Sequence, residues 1–384
     1  MRVAIYYPWI YLKGGIERTI LELKKRSRHE WTIFTSYYDR RETYPELEQM
    51  NIRRLRRVSV KRTYLSVIRS AVRILRTRIE AEPFDAVVIC CDGIGSLLSF
   101  RNAVKPLICL CFTPLRAVYD EEYRARHLSR YRAVMPFVLL LEAFYKAIDR
   151  MAWKRYRHVF CISRTVKERV LRGRLCSAHL IEIASPGIDK CKISFSPRRE
   201  AYFLLPGRIT WTKNVELGIR AFLQFKLRAD DDFRLVIAGM VDDKSRGYYR
   251  YLSRLVEGRK DVVFVRGPTD DQMAELYKNC YAVLFPSFNE DFGLVPIEAM
   301  SHGKPVVAVN SGGPAEVLVH GETGWLVDGN ANKFSKAMED LVKNPSLTRN
   351  MGENAIKRCA LFTWDNFVEK IDGFLDRLAA KNAG

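Results

Sequence analysis

The chain has no long uncharged run: the longest, Asn279–Asn289 and Pro305–Ala315, are eleven residues each. A helix that crosses a bilayer needs about 20 mostly apolar residues, so no spanning helix is expected. The opening MRVAIYYPWIYLKGG is too strand-like, and its apolar run too short, for a secretory signal. The nine cysteines fall as Cys90-Cys91, Cys109-x-Cys111 and five singles, with no CxxC pair and no Cys/His cluster at zinc spacing. An odd set of this kind reads as reduced thiols in a cytosol, most of them small core residues. No GxGxxG, Walker A, RNP, KH or helix-turn-helix pattern is present, so nucleic acid is not the expected partner.

Acidic residues are scarce in one half only. Residues 1–200 hold 40 Lys or Arg against 20 Asp or Glu, and residues 201–384 hold 24 against 24, so the whole net charge of +20 sits in the first half. That asymmetry, with a length of 384 residues, points to two domains with different electrostatic duties, because one core rarely grows past about 250–300 residues. At 48% hydrophobic and 28% charged residues the composition is globular.

Short β-branched or apolar runs alternate with helical patterns from end to end. The predicted strands of the first half are Arg2–Pro8, Trp31–Ser36, Ile52–Arg56, Ala86–Cys91, Pro106–Phe112, His158–Ser163 and Leu180–Ser185. Those of the second half are Ala201–Leu205, Phe233–Gly239, Val262–Arg266, Ala282–Pro286, Pro305–Asn310 and Gly324–Asp328. Tyr251–Glu257, Asp271–Lys278 and Lys333–Lys343 are among the amphipathic segments between them. Continuous apolar strands alternating with helices imply parallel sheets covered on both faces, hence two doubly wound, Rossmann-like α/β domains. The periodicity breaks at Ser185–Glu200, which places a first domain over 1–190 and a second over 200–361. Ligands of such sheets bind at the carboxyl ends of strands, so two domains facing a central cleft should collect their motifs there.

The densest motif is NEDFGLVPIEAMSHGKPVVAVNSGGPAEVL, Asn289–Leu318. A strand feeds a loop, and Pro296 is predicted as the first residue of a short helix stopping at Gly303. Backbone amides at Phe292, Gly293, Leu294 and Val295 would then face an anion such as a diphosphate. Glu290 in the loop and Glu298 in the first helical turn are spaced to serve one ligand, a sugar with one carboxylate and a ribose with the other. Arg208 and Lys213 follow the first strand of the second half, a bidentate fork and a point charge suited to a leaving diphosphate. Gly14 and Gly15 lie between the first strand and a helix, where paired glycines let a backbone approach a phosphate, or simply pack. Asp92 follows a strand directly and suits either a ligand or a helix cap. Asp230–Asp232 and Asp242-Asp243 read as turns flanking the strand Phe233–Gly239.

Together the glycine loop, the R-x4-K pair at 208 and 213, the E-x7-E at 290 and 298, and SGGPAE at 311–316 resemble the GT-B glycosyltransferases of the retaining glycosyltransferase family 4. FGLVPIEAM followed by KPVVAVNSGGP is most similar to GDP-mannose-dependent mannosyltransferases that extend lipid-linked oligosaccharides. The resemblance covers essentially the whole chain. It implies that Glu290 holds the transferred sugar, Glu298 the donor ribose, and Arg208 and Lys213 the diphosphate, aided by amides near Gly15 and Gly293–Val295. It implies a nucleotide sugar, GDP-mannose, as co-substrate, no metal or other cofactor, and a polyprenyl- or dolichyl-diphosphate glycan or another glycolipid as acceptor. It also implies that 362–384 is a helix crossing back to the first domain. One departure stands out: relatives often carry His-Thr-Pro-x-Arg after a first-domain strand, and here Phe112 replaces the His while Thr113, Pro114 and Arg116 remain. Arg116 and Asp120 are then the nearest polar groups, acceptor-side candidates or a loop ion pair. A UDP-sugar donor and a silent nucleotide-sugar-binding protein are the alternatives that this departure keeps open.

The basic half concentrates charge in two stretches. In Asn51–Glu82, Arg53, Arg54, Arg56 and Arg57 precede a helix with Leu65, Ile68, Val72, Leu75 and Ile79 on one face and Arg69, Arg73 and Arg76 on another. In Arg130–Arg157 an apolar run, Ala133–Leu141, enters a helix whose polar face carries Glu142, Lys146, Arg150 and Lys154. Such helices suit anionic headgroups, or else bury their apolar faces in the core. The expectation is a cytoplasmic protein, peripheral on the inner face of an anionic membrane.

Overall fold

A computed structural model describes residues 1–61, 63–80, 84–129, 134–228 and 232–383. Glu82, Arg130, Ala133, Asp230 and Asp231, named above, lie outside the described residues. The chain divides into two compact units, Met1–Pro186 with Trp364–Gly384, and Gly187–Thr363.

The first unit holds a seven-stranded parallel sheet. Its strands are β1 (Arg2–Tyr6), β2 (Glu30–Thr35), β3 (Ile52–Arg54), β4 (Ala86–Asp92), β5 (Leu107–Thr113), β6 (His158–Cys161) and β7 (Ile181–Ile183). They run in the order β3-β2-β1-β4-β5-β6-β7. The second unit holds β8 (Tyr202–Pro206), β9 (Arg234–Gly239), β10 (Val262–Arg266), β11 (Ala282–Phe285), β12 (Val306–Val309) and β13 (Gly324–Val327), ordered β10-β9-β8-β11-β12-β13. Each sheet therefore reverses direction once, between β1 and β4 and between β8 and β11, which is where a doubly wound sheet opens a ligand crevice. All thirteen strands of these two sheets fall on the predicted runs, with ends displaced by at most two residues. The reason is local: β4 and β5 are buried along almost their whole length, so helices cover both faces and the sequence must be continuously apolar.

Helix boundaries differ more. The segment predicted at Tyr251–Glu257 is helical over Arg246–Leu255, because Asp242 caps the turn Asp243–Ser245 that leads into it, its carboxylate accepting the Ser245 amide at 2.8 Å. Seven of the nine cysteines are buried thiols.

The last helix, Trp364–Ala383, packs in the first unit against the helix Gly15–Arg26. Trp364, Phe367, Val368, Ile371, Leu375 and Leu378 recur at helical spacing and are all buried. At the edge of that stripe, Ser27 donates to Asp372 at 2.6 Å, and Arg28 reaches both Glu369 (2.9 Å) and Asp376 (2.5 Å).

Candidate active site

In the second unit three loops at the carboxyl ends of adjacent strands knit together. After β8, Gly207 and Arg208 lead to the short turn Trp211–Lys213, which Asn214 closes in a left-handed conformation (φ 49°). The Asn214 side-chain amide donates to the Pro286 carbonyl at 3.4 Å, and Ser287 donates to the Thr212 carbonyl at 3.2 Å. The loop after β8 is thus fastened to the loop after β11. That loop carries Glu290, whose carboxylate accepts from Lys213 Nζ at 2.7 Å and from Ser287 Oγ at 2.8 Å. Both side chains are only partly shielded, 17% exposed for Lys213 and 27% for Glu290, so an opposed pair of charges stands ready for an incoming polar ligand. The Arg208 side chain is exposed and joins none of these bonds.

The third loop, after β12, explains Gly312-Gly313. The Gly313 amide donates to the Glu290 carbonyl at 2.7 Å. A Cβ at Gly313 would lie 1.8 Å from the Phe292 carbonyl oxygen, and one at Gly312 would lie 2.5 Å from that of Glu290. The pair therefore lets the 290–292 backbone lie directly on this turn. Phe292 is buried beside Phe362, and Gly293 takes a left-handed φ of 117° before the helix Leu294–Ser301. Amides of the first helical turn have no partner within their own helix, so those of Leu294 and Val295 have the geometry that an anion could meet.

Two expectations about this helix are corrected. Pro296 is its third residue, because the left-handed Gly293 already turns the chain into the helix; proline is tolerated there since its missing amide would be unpaired anyway. Glu298 accordingly sits in the second turn, not the first. Its carboxylate accepts from the buried Tyr277 hydroxyl at 2.8 Å. Burial, and then the Glu298 charge, push the Tyr277 phenol well above its ordinary value, so it stays a donor. Ser287 and Tyr277 escaped the sequence reading, since each comes from a strand end or helix with no spacing that links it to a glutamate.

In the first unit the glycine loop is occupied from within. Gly14 caps the helix Gly15–Arg26 in an extended conformation that any residue can adopt. A Cβ there would lie 2.6 Å from Glu17 Oε2, so the glycine makes room for this side chain. Glu17 is buried, and its carboxylate accepts its own backbone amide and those of Tyr11 and Leu12. Burial pushes its pKa up to about 7, opposed by those amides and assisted by the Asp92 charge. Gly15 is exposed as the first helical residue. Asp92, at the end of β4, accepts from the Tyr7 hydroxyl at 3.4 Å; Gly93, not Asp92, precedes the next turn.

The acceptor-side candidates Thr113, Arg116 and Asp120 converge on a residue that sequence reading missed, Arg169. Asp120 has a fully buried carboxylate, 3.0 Å from both Arg116 and Arg169, and Arg169 donates to Thr113 Oγ1 at 2.6 Å. The carboxylate holds the loop after β5 onto the helix Arg164–Arg172 and presents no surface to a ligand. Phe112 is buried within β5.

Residues 13–190 match the family described as Glycosyltransferase Family 4, and residues 189–358 that described as Glycosyl transferases group 1. The chain belongs to glycosyltransferase family 4. It is a glycosyltransferase with the two Rossmann-like units of the GT-B fold. Alpha-1,3/1,6-mannosyltransferase ALG2 of Homo sapiens is 26% identical over 95% of this chain and 93% of its own. The Mus musculus ALG2 is 35% identical over 47% of this chain, and that match spans about half (46%) of the relative's length. D-inositol 3-phosphate glycosyltransferase of Paenarthrobacter aurescens is 31% identical over 51% of this chain and 53% of its own. Among solved structures, HepE of Anabaena in complex with UDP superposes with a TM-score of 0.75 at 18% identity, covering 98% of this chain and 100% of that one. This family 4 chain has, among its described residues, no cluster of three or more His, Cys, Asp or Glu side chains placed to hold a metal ion.

Proposed function

We propose that this glycosyltransferase moves mannose from GDP-mannose, with retention, onto a lipid-linked glycan, a polyprenyl- or dolichyl-diphosphate acceptor or a related glycolipid. The observation that carries the reading is the Lys213–Glu290 pair at 2.7 Å, held where β8 and β11 diverge. A sugar diphosphate brought to this point meets both halves of the chemistry. Lys213, with Arg208, neutralises charge on the departing diphosphate, and the amides of Gly293, Leu294 and Val295 add oriented donors. Glu290 accepts hydrogen bonds from the sugar's hydroxyls, and Glu298, steadied by Tyr277, takes those of the ribose. The sugar's bond to the diphosphate breaks as the acceptor hydroxyl attacks from the same face, and the departing phosphate oxygen takes the hydroxyl proton. The cations in this scheme are side chains, so no metal or other cofactor is assigned. The whole-length likeness to mannosyltransferases named ALG2 supports mannose as the sugar. The excess charge of the first half supports an anionic acceptor and a peripheral position on the cytoplasmic face of a membrane.

A panel of GDP- and UDP-sugars tests this directly. GDP-mannose should raise the melting temperature and undergo slow hydrolysis that disappears in Glu290→Gln and in Lys213→Ala. Hydrolysis of a UDP-sugar alone would favour the second donor reading. Binding without turnover, even with acceptor lipid supplied, would identify a silent binding protein, the outcome that Phe112 in place of the family His keeps open.

A further inference from the structure

Two helices of the first unit carry an apolar stripe on the side that faces water. On the helix Tyr64–Leu75 the stripe Leu65, Ile68 and Val72 is exposed to water (58%, 45% and 44%), while the residues it buries are Ser70 and Ile74. On the helix Met135–Trp153 the stripe Phe137, Leu140 and Phe144 is exposed by 62–66%, while the buried positions include Glu142 and Asp149. Among the described residues, eleven of the eighteen exposed large hydrophobics lie on these two helices or at Val134, which precedes the second. Scattered exposed apolar residues are ordinary; a concentration of this kind marks an interaction surface.

The two helices flank one segment, since both pack against Ile94–Asn102. They are also joined at one end: the Tyr64 hydroxyl lies 2.8 Å from His127 Nε2 on the helix Glu121–Ser129, whose Arg124 bonds Glu142 at 2.8 Å. The charge they show to solvent has one sign. The helix Tyr64–Leu75 has no acidic residue, and Arg69 and Arg73 on it are exposed. The only two acids of Met135–Trp153 are withdrawn, Glu142 under Arg124 and Lys146, and Asp149 onto Ser96 at 2.6 Å. Lys154 and Arg155 at its far end are exposed. Two helices whose apolar stripes are accompanied at the surface only by their own cations fit an anionic bilayer, where hydrocarbon and headgroups lie in that order. Pairing with a second copy would set cations against cations. No helix among the described residues is long and apolar enough to cross a membrane, so contact of this kind lies along the surface.

We infer that the faces of Tyr64–Leu75 and Met135–Trp153 dock this protein on anionic lipid by inserting their apolar stripes into the headgroup boundary. The purpose of the docking rests on the lipid-linked acceptor proposed above; the docking itself is tested apart from it. The full chain is floated with phosphatidylcholine vesicles containing phosphatidylglycerol at about one lipid in three, at low salt and at roughly half-molar salt. Wild type is expected to float at low salt and to retain part of its binding at high salt, because insertion is not screened. The variant Leu65→Gln/Ile68→Gln/Leu140→Gln/Phe144→Gln should lose at least about tenfold in partitioning. All four side chains are exposed, so its folding and its nucleotide thermal shift should match wild type. Wild type left at the bottom of the gradient overturns the inference, as does a variant that floats equally well. A wild-type dimer that the variant converts to monomer overturns it too, in favour of a second copy on this face. Loss of flotation with donor hydrolysis intact leaves the donor reading standing, and flotation without any donor turnover does the reverse.

Discussion

The buried Glu17 makes the first unit's stability depend on pH in a calculable way. Its carboxyl titrates near 7 in the fold against an ordinary 4.5, so the folded state holds the proton more tightly than the unfolded chain. Below about pH 4.5 both states are protonated and the group costs nothing. As pH rises through this window the unfolded chain ionises first, and stability falls until pH passes the folded value near 7. The full difference corresponds to about 3 kcal/mol, nearly all present at about pH 8 and under about 1 kcal/mol at pH 5. Glu17→Gln removes the ionisation and keeps a carbonyl to accept the amides of Tyr11 and Leu12. Whatever the amide costs in geometry is the same at both pH values, so the prediction concerns the difference: relative to wild type, the variant should gain about 2–3 kcal/mol between pH 5 and pH 8. Amide hydrogen exchange in β1 and β4 reads the opening of this unit without contribution from the other. Asp149 (raised to about 6 by burial) and His158 (lowered to about 4 by burial) act in opposite senses on the same unit but cancel in the comparison. Parallel pH profiles for the two proteins would refute the assignment of a buried, ionisable carboxylate to the glycine loop.

Other outcomes follow from single contacts. Gly313→Ala forces a Cβ against the Phe292 carbonyl, 1.8 Å away; the loop bearing Glu290 must move, and the variant should lose about 2–4 kcal/mol of stability and its nucleotide thermal shift. Asp120→Ala leaves the buried Arg169 guanidinium without its carboxylate and should cost about 3–5 kcal/mol in denaturant unfolding followed by a first-unit probe, whereas Arg116→Ala, removing the more exposed partner, should cost distinctly less. Tyr277→Phe deletes one hydrogen bond to Glu298 and should weaken nucleotide binding by about tenfold or less in a titration, with sugar-transfer rate at saturating donor nearly unchanged.

Much of this molecule is legible in its sequence because the signals are local. A strand buried on both faces must be apolar throughout, and β4, β5, β8 and β11 announce themselves that way. The loop 289–295 and Gly312-Gly313 were also visible as motifs, and their bonds to one another lie within a short stretch of chain. Positions two residues apart were harder: the left-handed Gly293 starts its helix before Pro296, a backbone choice that proline's usual place as a first residue conceals.

What only the tertiary structure decided is which partner or which face a side chain takes. Arg169 lies 49 positions from Asp120 in the chain, and nothing in the spacing marks it as the guanidinium that buries that carboxylate. Glu17 reads as an ordinary first-turn acid until the fold closes over it. The stripe at Leu65 was plain from its period, and Leu140 lay in a plain apolar run, but neither signal has a direction. Whether a stripe faces core or solvent depends on what the neighbouring segment, Ile94–Asn102, presents to it; here both helices pack on that segment with Ile74 and Val138 buried, and Leu65, Ile68, Phe137 and Leu140 stay outward. Sequence determines the elements and their chemistry; packing, which joins residues far apart in the chain, decides which of them remain available.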